Sequence, residues 1–171
     1  MAARISQKVA VGTVFVAAMF MSILDATIVN VALPTIGRDF GVSATAVDGI
    51  AIAFLVSLAV TIPASGWLGD KYGGKRVLLA AIALFTAASA LCGLASSLGE
   101  LVMFRILQGA AGGMLAPVGM AMLYRVFPPD ERIKAAAILT VPTTFAPALG
   151  PVLLVLFQEQ QAERERRRAD R

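Results

Sequence analysis

Apolar residues come in long blocks, and short polar breaks separate them. The blocks run Val9–Leu33, Ala46–Leu68, Val77–Leu98, Leu101–Phe127 and Ile133–Phe157. At about 1.5 Å per helical residue the first block reaches roughly 37 Å, and every block is long enough to cross a bilayer. The pattern predicts an all-α polytopic membrane protein with about five transmembrane helices at 9–33, 46–68, 77–98, 101–127 and 133–157. A charged C-terminal tail, 158–171, follows them. Arg4 and Lys8 precede the first block, and a signal peptide also begins with positive charge before an apolar core. This block is long for such a core and carries Asp25 within it, so a retained span is the expectation.

Finer patterning predicts how the spans end and meet. Pro34–Ser43 reads as the first break, and Thr45 with Asp48 as a capping box opening the second span. Ala53, Ser57, Thr61, Ser65 and Gly69 recur every four residues, a small-residue stripe suited to close helix approach in lipid. Pro63 is expected to bend that span. Ser89, Gly93 and Ser97 repeat the stripe in the third span, and Gly99-Glu100 reads as a short turn. Pro128-Pro129-Asp130-Glu131-Arg132 breaks the chain again, and the fifth span contains Pro142, Pro147 and Pro151.

Composition agrees with the blocks. The chain is 58% hydrophobic and 15% charged, against about 25% charged in a soluble domain. It contains no His, which removes His-based metal sites and a His general base; Cys92 is its single cysteine, so no internal disulfide or Cys-Cys metal pair can form. No nucleic-acid motif is present, no cofactor or metal is implied, and no enzymatic role is expected. The net charge of +4 belongs to loops and tail. Lys and Arg in short loops set orientation. Arg4 and Lys8, then Lys71, Lys75 and Arg76, then Arg125, Arg132 and Lys134 lie on one side; the other has Arg38, and Arg105 if that is interfacial. The N-terminus is therefore expected in the cytoplasm.

Three places could carry chemistry. Asp25 lies in mid-span, where an acid costs a few kcal/mol, roughly, unless it is wet, paired or protonated. It reads as a proton carrier or a counter-ion for a cationic ligand, or else as a structural acid bonded to neighbouring helices. Ser22 shares its face. Arg105 is the second intramembrane charge. It needs a carboxylate, carbonyls or water, or it snorkels to the interface. Gln108, Gly109, Gly112 and Ala116 follow on its face, and Gly109 with Gly113 forms a GxxxG pair. Third, Gly66-Trp67-Leu68-Gly69-Asp70-Lys71-Tyr72-Gly73-Gly74-Lys75-Arg76 concentrates charge between two spans. It reads as a short charged hairpin, either functional or a solvated loop that only orients the protein.

That stretch resembles the loop signature between helices two and three of the major facilitator superfamily, Gly-x-Leu-x-Asp-(Arg/Lys)-x-Gly-(Arg/Lys)-(Arg/Lys). Gly66, Leu68, Asp70, Lys71, Gly73, Lys75 and Arg76 fit, and Gly74 stands where a base is usual. Leu24-Asp25-Ala26-Thr27-Ile28-Val29-Asn30-Val31-Ala32-Leu33-Pro34 resembles the helix-one signature of the superfamily's drug:proton antiporter branch with fourteen helices. The run from Leu101 through Arg105, Gln108 and Gly109 to Gly113 is similar to the helix-four motif of proton-driven members. Ala146-Pro147-Ala148-Leu149-Gly150-Pro151 resembles the antiporters' helix-five motif, with Ala146 for a usual Gly and Leu153-Leu154 where a Gly pair commonly follows. Helix two departs at Gly49 and Phe54, near positions where Trp and Tyr are frequent.

The resemblance implies a partial N-terminal half of a major facilitator fold in the cell (inner) membrane. It implies proton-coupled efflux of small drug-like or amphipathic compounds, with lipid, protons and a small-molecule substrate as partners. Asp25, Arg105 and Gln108 would handle protons or substrate. Gly66, Asp70, Lys71, Gly73, Lys75 and Arg76 would gate, and Pro147, Gly150 and Pro151 would shape helix five. Two alternatives stand beside this reading: a non-transporting fragment that pairs with other transporter chains, and a carrier of another small solute. The resemblance ends near residue 152, and five Arg and four acids crowd residues 158–171. The expectation is an interrupted reading frame there, with a natural solvated tail as the alternative.

Overall fold

A computed structural model describes residues 2–133, 135–137 and 144–145, with side chains described from Gln7 onward. Four long helices make up nearly all of it: α1 (Ala2–Asp39), α2 (Ala44–Tyr72), α3 (Gly74–Gly93) and α4 (Leu98–Val126). Each is long and apolar enough to cross a membrane. Residues 129–133 and 135–137 are also helical. Apart from 144–145, the remainder of the expected fifth span, including Pro147, Gly150 and Pro151, and the tail lie outside the described residues.

The helix ends differ from those the hydropathy pattern suggests. α1 runs through Pro34. It stops at Gly41, whose φ of 62° is the left-handed conformation that glycine adopts freely. Gly41 N–H donates to the Arg38 carbonyl and Val42 N–H to the Gly37 carbonyl, the two bonds of a Schellman motif. The N-cap of α2 is Ser43, whose hydroxyl accepts from Ala46 N–H at 3.3 Å. Thr45, the expected cap, lies within the first turn, and Asp48 is too far along to close a capping box. Gly99-Glu100 is no turn either. Ser97 caps α4, accepting from Glu100 N–H, while the Glu100 carboxylate reaches back to Ser96.

The charged stretch between α2 and α3 is tighter than a hairpin loop. Gly66, Asp70 and Lys71 ride on the last turns of α2, and Lys75 and Arg76 on the first turn of α3. Gly73 alone breaks the helices, with φ of 86°. At Gly66 a side chain would meet nothing within 4 Å, so packing does not explain that glycine.

α4 is the centre of the bundle. Half of its most apolar window is buried, against 17–28% for the other three helices. It packs against α1, α2 and α3, most extensively against α2. The small-residue stripe of α2 makes that contact. A Cβ on Gly109 would collide with the Phe54 carbonyl oxygen, and one on Gly113 would lie 2.6 Å from the Leu58 carbonyl. The hydroxyl of Ser57 donates to the Ile106 carbonyl at 2.6 Å, a cross-helix bond of the kind that holds helices together in lipid. Below this contact, Phe54, Phe85, Ala111, Leu115 and Val118 form the main apolar core. The expected stripe on α3 dissolves: Ser97 lies beyond its end, Gly93 faces open space, and Ser89 serves a different purpose described below.

One end of the bundle collects the basic residues. Lys8, on α1, pairs with Glu131, beyond α4, and its ammonium sits over the Phe127 ring. Arg132 folds back to donate to the carbonyls of Tyr124 (2.8 Å) and Phe127 (3.2 Å), closing the C-terminal end of α4. Asp70 and Arg125 meet at that same end. The opposite end carries Arg38, Asp39, Asp48 and Glu100.

The α2–α4 contact sets a test. Gly109→Ala forces a methyl against backbone and should cost about 1–3 kcal/mol, read as a lower unfolding midpoint in detergent. Gly49→Ala, in open space on α2, should be neutral or stabilising by up to about 1 kcal/mol.

Candidate functional site

Asp25 and Arg105, the two isolated intramembrane charges, face each other. Arg105 Nη1 donates to Asp25 Oδ2 at 2.7 Å across α1 and α4. Arg105 is 2% exposed and Asp25 16%. A bare guanidinium at that depth would be costly, and Asp25 neutralises it. The snorkelling alternative for Arg105 is therefore absent from this structure: its side chain is turned into the bundle, not toward an interface.

Other groups complete the arrangement. Gln108 Oε1 accepts from the same Nη1 at 2.8 Å, one helical turn along α4. Ser89 on α3 donates to Asp25 Oδ1 at 3.1 Å. Cys92 lies 3.8 Å from Gln108 Oε1, within reach of a weak S–H bond. The guanidinium carbon stands 5.4 Å from the Phe54 ring centroid on α2, a cation–π distance. All four helices thus contribute to one charged cluster. Ser22 makes no hydrogen bond to Asp25 and instead lines a neighbouring cavity of about 330 Å³. Ile23, Thr27, Asn30, Leu58 and Gly112 also line it.

Three of these participants escaped the sequence reading. Ser89 stands in a stripe suited to packing, Cys92 draws notice in the sequence only as a lone cysteine, and Phe54 only as a departure from the usual aromatic pattern. The available signal for Ser89 was that the third span offers few hydroxyls to a buried acid, Thr86 and Ser89 within α3. For Phe54 and Cys92 there was none, because their roles depend on the neighbouring helix.

The other sequence-predicted group lies at the basic end. Asp70 is 3.6 Å from Arg125 of α4, with both side chains largely exposed. A pair so solvated contributes about 0–1 kcal/mol, so its value is positional: it ties the last turn of α2 to that of α4. Lys71 sits over Trp67 at 4.5 Å and Tyr72 at 5.3 Å. Asp70 and Arg125 border a cavity of about 210 Å³ with Ser65, Gly69, Pro117 and Met122. Gly66 and Gly74 line it too, while Lys75 and Arg76 stay exposed on α3.

Breaking the buried pair should be expensive. Asp25→Asn and Arg105→Gln are each expected to lower stability by roughly 3 kcal/mol. The double variant should lose less than the sum, with a coupling of roughly 1–3 kcal/mol. Unfolding midpoints of the four proteins in one detergent measure this; strict additivity would mean that the two residues do not interact.

Comparison with known proteins agrees with this architecture. The family model described as Major Facilitator Superfamily matches residues 15–159. A Klebsiella pneumoniae subsp. pneumoniae protein named "Putative multidrug resistance protein MdtD" is 42% identical over 134 residues, 78% of this chain. The protein of the same name from Salmonella dublin is 40% identical over 134 residues. The chain spans 28% of the length of these curated relatives. The match covers all four long helices from Phe15 onward, together with the charged cluster and the basic end apart from Lys8, and on that ground the chain belongs to the Major Facilitator Superfamily.

Proposed function

We propose that this chain contributes the charge-handling part of a proton-coupled exporter of small amphipathic compounds, of the drug:proton antiporter type. The observation that carries the reading is the Asp25–Arg105 pair beside a largely apolar cavity of about 330 Å³. A carboxyl group in a bundle core can hold a proton or release it to water, and a guanidinium partner stabilises the carboxylate left behind. That exchange is what coupling to a proton gradient requires. Similarity to proteins named for multidrug resistance supports the export direction.

Alternating access in transporters of this kind is a rocking of repeats about a central site. In the proposal, Asp70 and Arg125 are the contact that such a movement makes and breaks, with Lys71, Lys75 and Arg76 around them. A weak, solvated pair suits that task, because it can be exchanged for another at little cost. Orientation follows the basic end: the membrane is the cell (inner) membrane, and that end, with the N-terminus, faces the cytoplasm.

Two measurements test this. Cells making the chain should lose a fluorescent amphipathic dye faster than control cells, and an uncoupler should abolish the difference. Asp25→Asn should remove it as well. A rate equal to that of Asp25→Asn cells would instead favour the non-transporting role beside other transporter chains. For orientation, a membrane-impermeant maleimide should label Arg38→Cys in intact cells of a Cys92→Ser background. Lys75→Cys should react only after lysis; the reverse pattern would invert the topology.

A further inference from the structure

The ion pair uses only part of the guanidinium. Nη1 carries the contacts to both Asp25 and Gln108. Nε and Nη2, which share another edge of the planar group, are buried and have no hydrogen-bond partner among the described residues. Gln108 Nε2 is in the same state. An unpaired buried donor costs about 1–3 kcal/mol, so three around one charge form a set that lacks an acceptor. Meanwhile both oxygens of Asp25 are engaged, by Ser89 and Arg105. Around the guanidinium, buried donors therefore outnumber the acceptors that reach them.

Arg105 also forms a wall of a cleft of about 60 Å³ between α1, α2 and α4, lined further by Asn30, Phe54, Ala51 and Ala26. Asn30 and Arg105 are its polar lining residues. Ala26, Asn30 and Phe54 border both this cleft and the larger cavity. A polar head and an apolar body would thus find adjacent spaces.

We propose that this cleft binds the carboxylate of an amphipathic anion, held bidentately by the Nε–Nη2 edge of Arg105, with the apolar body in the larger cavity. The Nε–Nη2 edge of an arginine matches the two oxygens of a carboxylate in spacing and plane. Gln108 Nε2 supplies a further donor beside it. The proposal rests on the exporter reading only in calling this ligand a substrate; the binding site stands on the unpaired donors and the cleft.

The test is calorimetry on the whole chain in lipid nanodiscs, with heats from empty nanodiscs subtracted. The probes are phenylbutyrate, the neutral phenylbutyramide and the cationic phenylbutylamine, which share one apolar body. Phenylbutyrate should bind saturably and the amide roughly tenfold more weakly or worse, with no saturable heat from the amine. Arg105→Lys, which keeps the charge and loses the planar edge, should weaken phenylbutyrate binding by a similar factor. Ala51→Leu narrows the cleft without touching the ion pair. It should abolish binding at an unchanged unfolding midpoint. Equal binding of acid and amide, preference for the amine, or undiminished binding by Ala51→Leu would overturn the proposal. Carboxylate binding without any dye efflux would count against the exporter reading alone, and efflux without carboxylate binding against this site alone.

Discussion

A guanidinium cannot give up its proton under any condition the protein meets, so its charge inside an apolar bundle must be answered in place. Arg105 imposes that demand, and the arrangement of the four helices can be read as the response. Asp25 comes from α1, Gln108 from the next turn of α4, Ser89 from α3 and the ring of Phe54 from α2. Removing the demand would leave each of those positions with a weaker reason for its side chain.

Close backbone contact makes the answer geometrically possible. Gly109 and Gly113 bring α4 against the carbonyls of Phe54 and Leu58. That approach seats Arg105, one turn before Gly109, beside Phe54 and against Asp25. In lipid the apolar effect does little to draw helices together, so small residues and cross-helix hydrogen bonds have to do so. The Ser57–Ile106 bond and the glycine pair supply both. Packing and charge placement are in this sense a single feature of α4, and a side chain at Gly109 would disturb both at once.

Much of this was readable from the residues. Block lengths gave four of the expected spans, and a four-residue period in α2 gave the face that meets α4. Asp25 and Arg105 stood out because charge is rare in apolar blocks. Their pairing was not readable: it joins residues eighty positions apart and depends on how α1 lies against α4. Helix ends were misjudged for a definable reason. Pro34 was weighted as a stop, although a helix can accommodate one missing N–H, whereas Gly41 and Gly73, with positive φ, were the real punctuation. Ser43 outcompeted Thr45 as a cap because Gly41 fixed where the next helix could begin. Pro147, Gly150 and Pro151 of the expected fifth span fall outside the described residues, so that motif remains an expectation of the sequence.

The account stands on Asp25 being ionised and in direct contact with Arg105 inside the membrane. Solid-state NMR on the chain in bilayers, with the aspartate carboxyl carbons and the arginine guanidinium nitrogens isotope-labelled, reads that contact directly through carbon–nitrogen dipolar coupling. A strong coupling from a carboxylate carbon shifted as an ionised group, lost on Asp25→Asn and retained on Asp70→Asn, is the predicted result. A coupling that survives Asp25→Asn unchanged, or an Asp25 carbon with no guanidinium nitrogen near it, would contradict the account.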